Sequence, residues 1–154
     1  MNIFQKFYLT FLVIFLASCS SVSTDRTNDA TAISASATGA YSDGGITSNN
    51  VLYFAYDRSD INSAGRAKIR NLAKVIKDND LSVRVEGHCD ERGTNEYNLA
   101  LGERRARSVL NFLLRLGASP EQFSIVSFGE ERPVALGQNE TAWQKNRRVE
   151  FTRL

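Results

Sequence analysis

The chain has 154 residues, 42% hydrophobic and 23% charged, which allows one folded domain of about 100 residues with chain to spare. A formal net charge of +2 is too small to hold a polyanion, so nucleic acid is excluded as a partner. The two cysteines, Cys19 and Cys89, fall in very different contexts and do not read as a structural disulfide.

The N-terminus accounts for the spare chain. A short polar start with one lysine precedes Phe7–Ala17, which is almost wholly apolar. That run is shorter than the ~20 residues of a spanning helix and matches the ~7–15-residue apolar region of a secretory signal. Leu16-Ala17-Ser18-Cys19 resembles a bacterial lipobox, so residues 1–18 are expected to be a lipoprotein signal peptide, with lipid on Cys19. Stable anchoring needs two or more acyl chains, because one chain binds only marginally. Ser20 rather than aspartate after the cysteine leans toward the outer membrane by resemblance to enterobacterial sorting patterns. Residues 19–50 then form the lipidated cysteine and a tether rich in Ser, Thr, Ala, Gly, Asp and Asn. As a random coil that tether spans roughly 30 Å and at full stretch about 100 Å.

The folded domain is expected over residues 51–154. Val51–Tyr56 is an apolar, aromatic run that reads as a first strand. Asn62 or Ser63 caps a helix whose apolar residues recur at Ile69, Leu72, Ala73 and Ile76, and Asp78-Asn79-Asp80 stops it. Leu81–Glu86 alternates as a second strand. A helix from about Glu96 to Leu116 turns Leu99, Gly102, Ala106, Val109, Leu110 and Leu113 inward, with Gly117 just past its end. Ser119-Pro120-Glu121-Gln122 predicts a helical turn, Phe123–Phe128 a third strand, and Val149–Thr152 a last one. Residues 129–144 read as loop with a turn near Glu140–Trp143. The order β-α-β-α-β-β predicts an α/β sandwich, a small mixed sheet with two helices packed on it.

Charge collects where the second strand ends and the second helix begins: His88, Asp90, Glu91 and Arg92, then Arg104, Arg105 and Arg107. Taken alone, Asp90 is a loop or capping carboxylate. Arg105 borders the apolar stripe, one turn from Leu101 and Val109, so a snorkelling core residue and a ligand contact are equally open to it. Together they make a stronger case, one carboxylate for an ammonium and one planar guanidinium for a carboxylate, as a zwitterionic ligand requires. Asp57 adds a second carboxylate to the same rim if the first two strands lie side by side. Catalysis is less well supported. His88 and Cys89 are consecutive in extended chain and point apart, and a single histidine and cysteine make a poor metal site, so no metal or cofactor is expected. A carboxylate-pair hydrolase drawn from Asp57, Asp90 and Glu91 stays open, with nothing to order them into acid and base.

Four motifs carry a resemblance: V-E-G-H-C-D-E-R-G-T-N-E-Y-N, L-G-E-R-R-A-R-S-V, S-I-V-S-F-G-E-E-R-P and N-R-R-V-E. With the lipobox and tether, residues 51–154 resemble the peptidoglycan-associated lipoproteins of the OmpA-like domain family. The resemblance implies a non-enzymatic outer-membrane lipoprotein, lipid-anchored and facing the periplasm. Such proteins bind the meso-diaminopimelate of the peptidoglycan stem peptide and work with TolB and other Tol-system proteins in envelope integrity and cell division. By motif it places the ligand clamp on Asp90 and Arg105, with Asp57, Arg92 and Leu101 around the ligand and Tyr56, Asn146 and Arg147 in support. Cys89 departs from the family's small Ala or Thr. A motor-stator or porin domain of the same family is the rival that the lipobox argues against.

Overall fold

The structure is a computed structural model and describes Ile46 and residues 50–154. The expected signal peptide, Cys19 and most of the expected tether lie outside the described residues. Within them the elements run β1 (Leu52–Tyr53), α1 (Ser63–Asp78), β2 (Val83–His88), α2 (Asn95–Arg115), a 3-10 turn (Pro120–Gln122), β3 (Phe123–Gly129), α3 (Glu140–Asn146) and β4 (Arg148–Arg153).

Alternation along β2 sorts its side chains. Val83 and Val85 are fully buried on one face, under the helices, while Arg84, Glu86 and His88 go to the other. β4 is sorted alike, with Val149 and Phe151 in the core and Arg148 and Glu150 opposite. The helices complete the core with Ile69, Leu72, Ala73 and Ile76 of α1 and Ala106, Val109 and Leu113 of α2. Each starts on a side-chain cap. Asn62 accepts from the Gly65 N–H at 2.7 Å, and Thr94 accepts from the Tyr97 N–H at 3.2 Å. α1 stops where Asp80 takes a left-handed φ of 47°, and α2 stops at Gly117, φ 83°.

The sheet order is β1-β4-β2-β3, with β2 parallel to β3 and β4 antiparallel to both of its neighbours. The first two strands therefore do not lie side by side, the condition set above for Asp57 to join the rim. β4 lies between them, and Val149 pairs with Leu52 on one side and Gly87 on the other. β1 is also shorter than its apolar run. After Tyr53 only the Phe54 N–H reaches across, to the Arg147 carbonyl at 2.9 Å, and the chain then turns through Asp57 at φ 52°. That turn, rather than strand adjacency, brings Asp57 toward the end of β2. The expected turn near Glu140 is a full helix, α3, capped by Asn139 on the Ala142 N–H.

α2 lies close on the sheet because two glycines face each other. A Cβ at Gly87 would stand 2.0 Å from the Gly102 carbonyl oxygen, and one at Gly102 would stand 2.3 Å from Ser127 Oγ. At Gly87 the obstruction is backbone, which cannot rotate away. Gly87→Ala is therefore expected to lower folding stability by about 1–3 kcal/mol or more, as overpacking does, seen as a fall in the urea midpoint at unchanged slope.

Candidate functional site

The site sits where β2 runs out. Cys89 still pairs with β3 through its N–H to the Gly129 carbonyl at 2.7 Å, and then the chain leaves the sheet at Asp90. Asp90 is only 4% exposed. Its carboxylate accepts from Arg92 twice, Nη2 at 2.7 Å and Nε at 3.3 Å, and from the Arg92 backbone N–H at 3.2 Å. A fourth bond comes from Arg147 Nη1 at 3.1 Å. These fill the roughly four acceptor positions a carboxylate has. Burial pushes the Asp90 carboxyl up, and the hydrogen bonds from Arg92 and Arg147 outweigh it, so the group lies below the usual carboxylate range.

Arg105, one helix turn on from Leu101, is fully buried at 0% exposure. Its Nε donates to the Arg58 carbonyl at 2.8 Å, Nη2 to the Ala55 carbonyl at 3.1 Å, and Nη1 to the His88 carbonyl at 2.8 Å and Cys89 Sγ at 3.3 Å. It therefore ties the end of β2 to the turn after β1, and spends four of an arginine's five N–H groups doing so. Burial lowers its pKa, and it remains a cation at neutral pH.

Above these buried groups lies a pocket of ≈ 170 Å³. Asp90, Leu101, Arg105 and Arg147 line it from beneath, and Tyr56, Asp57, Arg92 and Tyr97 form the more open rim. Three guanidiniums and two carboxylates face one small volume, which suits a ligand group carrying both signs of charge. The resemblance placed the core of the ligand clamp on Asp90 and Arg105. The structure puts both in the floor, already engaged, and leaves Asp57 and Arg92 nearer to solvent. Arg92 is itself held as a plate, its guanidinium carbon 4.1 Å from the Tyr56 ring centre and 4.0 Å from that of Trp143.

The sequence profile of the OmpA family matches residues 53–147, most of the described domain. The chain belongs to the OmpA family. It is 42% identical to a peptidoglycan-associated lipoprotein of Pseudomonas putida over 96% of each chain. It is 50% identical to one of Pseudomonas aeruginosa, over 65% of this chain and 60% of that relative. The crystal structure of the peptidoglycan-associated lipoprotein from Burkholderia pseudomallei overlays with a TM-score of 0.66 at 38% identity, covering 68% of this chain and 89% of that one.

The other expected residues lie in or beside the pocket. Arg147 is a full member of it. Besides Asp90 it holds Glu140 and Gln144, each at 2.5 Å, and the Phe54 carbonyl at 3.1 Å. Asn146, its neighbour, is outside the pocket. Its side chain accepts from the Val134 and Ala135 N–H groups and donates to the Ala135 carbonyl, fixing the loop before α3. Two residues that sequence reasoning passed over belong to the site. Tyr97 donates its hydroxyl to Asp57, and the fully buried Asn98 donates to the Asp90 and Arg92 carbonyls at 3.2 and 3.3 Å. Tyr97, Leu101 and Arg105 are spaced four apart, so helical periodicity alone puts Tyr97 on the pocket side of α2. Cys89 donates its Sγ–H to the Asn98 carbonyl at 3.2 Å, and burial pushes its thiol pKa up to about 11. It is a small packed group and a poor nucleophile at neutral pH.

Proposed function

We propose that the domain binds peptidoglycan non-covalently through the meso-diaminopimelate of its stem peptide and acts as an anchor, not as an enzyme. The observation that carries this reading is the mixed-sign pocket: two carboxylates and three guanidiniums around a volume that takes the tip of one side chain. Diaminopimelate ends in an ammonium and a carboxylate on the same carbon, so one such pocket answers both groups at once. The ammonium meets Asp57 on the rim and the face of Asp90 that Arg92 covers. Arg92 yields that face without leaving the site, because Tyr56 and Trp143 hold its guanidinium from both sides and Glu140 is 3.8 Å away. The carboxylate is drawn by the positive floor of Arg105 and Arg147, with Leu101 against the aliphatic stem.

Lipid on Cys19 joins this grip to the outer membrane, and the tether gives the domain reach toward the wall. The Tol system, with TolB as partner, is the setting the resemblance supports for such a link between envelope layers. The test is calorimetric titration of residues 50–154 with a diaminopimelate stem peptide and with its lysine counterpart, which lacks the second carboxylate. The diaminopimelate peptide is expected to bind about tenfold to a hundredfold more tightly, the worth of one charge-assisted hydrogen-bonded contact. Equal affinities would remove the zwitterion reading. Soluble fragments released from sacculi in the same preparation would turn the assignment to a wall-cleaving enzyme.

A further inference from the structure

The sheet face turned away from α1 and α2 holds a second constellation. Glu86 of β2 and Glu150 of β4 stand directly opposite each other in the antiparallel register. Like charges in that position repel, so a cation shared by both carboxylates lowers the energy of the pair. His88, two residues along β2, projects from the same face, and the ligand atoms of all three residues lie within 4.8 Å of one another. His88 is 1% exposed, and neither of its ring nitrogens has a hydrogen-bond partner. A buried imidazole with both nitrogens unanswered is unusual, because desolvation without a partner is costly. Its ring stacks on Phe128, centroids 5.4 Å apart, which fixes the ring plane and answers neither nitrogen.

We infer that Glu86, His88 and Glu150 form a binding site for a divalent first-row transition cation, with Zn2+ the best fit. One imidazole and two carboxylates match the nitrogen and oxygen ligands of zinc, with a fourth position for water on the side of the half-buried Glu150. Calcium and magnesium fit less well, since both favour all-oxygen shells of six or more ligands. Zinc sits about 2.0–2.2 Å from such ligands, so atoms within 4.8 Å of one another must draw in around the ion for it to bind. The competing charges are arginines. Arg148 pairs with Glu150 at 2.5 Å, Arg84 lies 4.0 Å from Glu86, and Arg132 covers Phe128. The metal therefore shares Glu150 with Arg148, and its affinity is lower than that of a site without neighbouring cations. Its ligand atoms lie on the sheet face away from α2, whereas residues of α2 line the pocket, and the His88 carbonyl that Arg105 holds is backbone rather than a metal ligand.

The experiment is zinc binding to the full purified chain, by competition with a chromophoric chelator, with Co2+ as a spectroscopic replacement. One metal per chain is expected, with visible cobalt d–d bands and no thiolate-to-cobalt charge-transfer band. His88→Ala and Glu150→Gln are each expected to weaken binding about tenfold or more, with circular dichroism unchanged. Glu150 is half-buried and outside the core, so its variant decides the matter if His88→Ala does not fold. Absence of one-to-one binding overturns the proposal. So does a folded Glu150→Gln that binds like the wild type, or a charge-transfer band that places the metal on cysteine.

Discussion

Asp90→Ala is expected to abolish sedimentation of the domain with diaminopimelate-type sacculi and to cost about 3–5 kcal/mol of folding stability, the usual penalty for breaking a buried ion pair from one side. Asp90 is the carboxylate between Arg92 and Arg147, and Arg147 is itself almost fully buried. Without it, Arg147 keeps only Glu140 and Gln144 as side-chain partners, and Arg92 loses two side-chain hydrogen bonds and one backbone hydrogen bond to the floor. The stability loss is read as a fall in urea midpoint. A variant that keeps the fold and loses only the rim separates binding from stability. Asp57→Asn fits, because asparagine tolerates the left-handed backbone at this position and still accepts from Tyr97. It is expected to weaken sedimentation while unfolding within about 0.5 kcal/mol of wild type. An Asp90→Ala protein that is folded and still pellets would remove Asp90 from the site.

Arg105→Ala is the second large effect, and its cause is different. Arg105 satisfies the carbonyls of Ala55, Arg58 and His88 at once. Removing it orphans three acceptors at about 1 kcal/mol or more each, so a loss of at least about 3 kcal/mol is expected, a large share of a typical domain's stability. Arg105→Lys keeps the charge and loses the fork. One ammonium cannot reach three carbonyls held in different directions, so lysine is expected to restore less than half of the loss. Full rescue by lysine, measured by thermal unfolding, would show that charge alone is what the position supplies. The binding defect follows the same order, because this residue shapes the turn that carries Tyr56 and Asp57.

The helices were legible because their signals are local. The apolar spacing Ile69, Leu72, Ala73 and Ile76, the cap at Asn62 and the glycine at 117 each act within a turn or two of chain, and the structure places both helices within a residue or two of expectation. The neighbours of β1 were not legible. Val51–Tyr56 is apolar enough for a six-residue strand, yet only two residues pair, because its partner is β4, almost a hundred residues later, and the chain must turn early to place Asp57. The site was legible in part. Asp57, Asp90 and Arg105 announced the mixed charge of the pocket and the motifs added Arg92 and Leu101, but neither told which groups stand near solvent and which are already engaged.

Fold class, family and the mixed charge of the pocket were all written in local residue patterns. Composition, periodicity and the motif around Asp90 are properties of neighbouring residues and survive without a third dimension. Only the tertiary structure decided that Asp90 and Arg105 form a floor, that Arg147 closes it, and that Tyr97 and Asn98 belong with them. It alone set Glu86 against Glu150 beside an unpartnered His88. Those relations depend on β4 inserting between β1 and β2, a pairing between distant segments that no local pattern records.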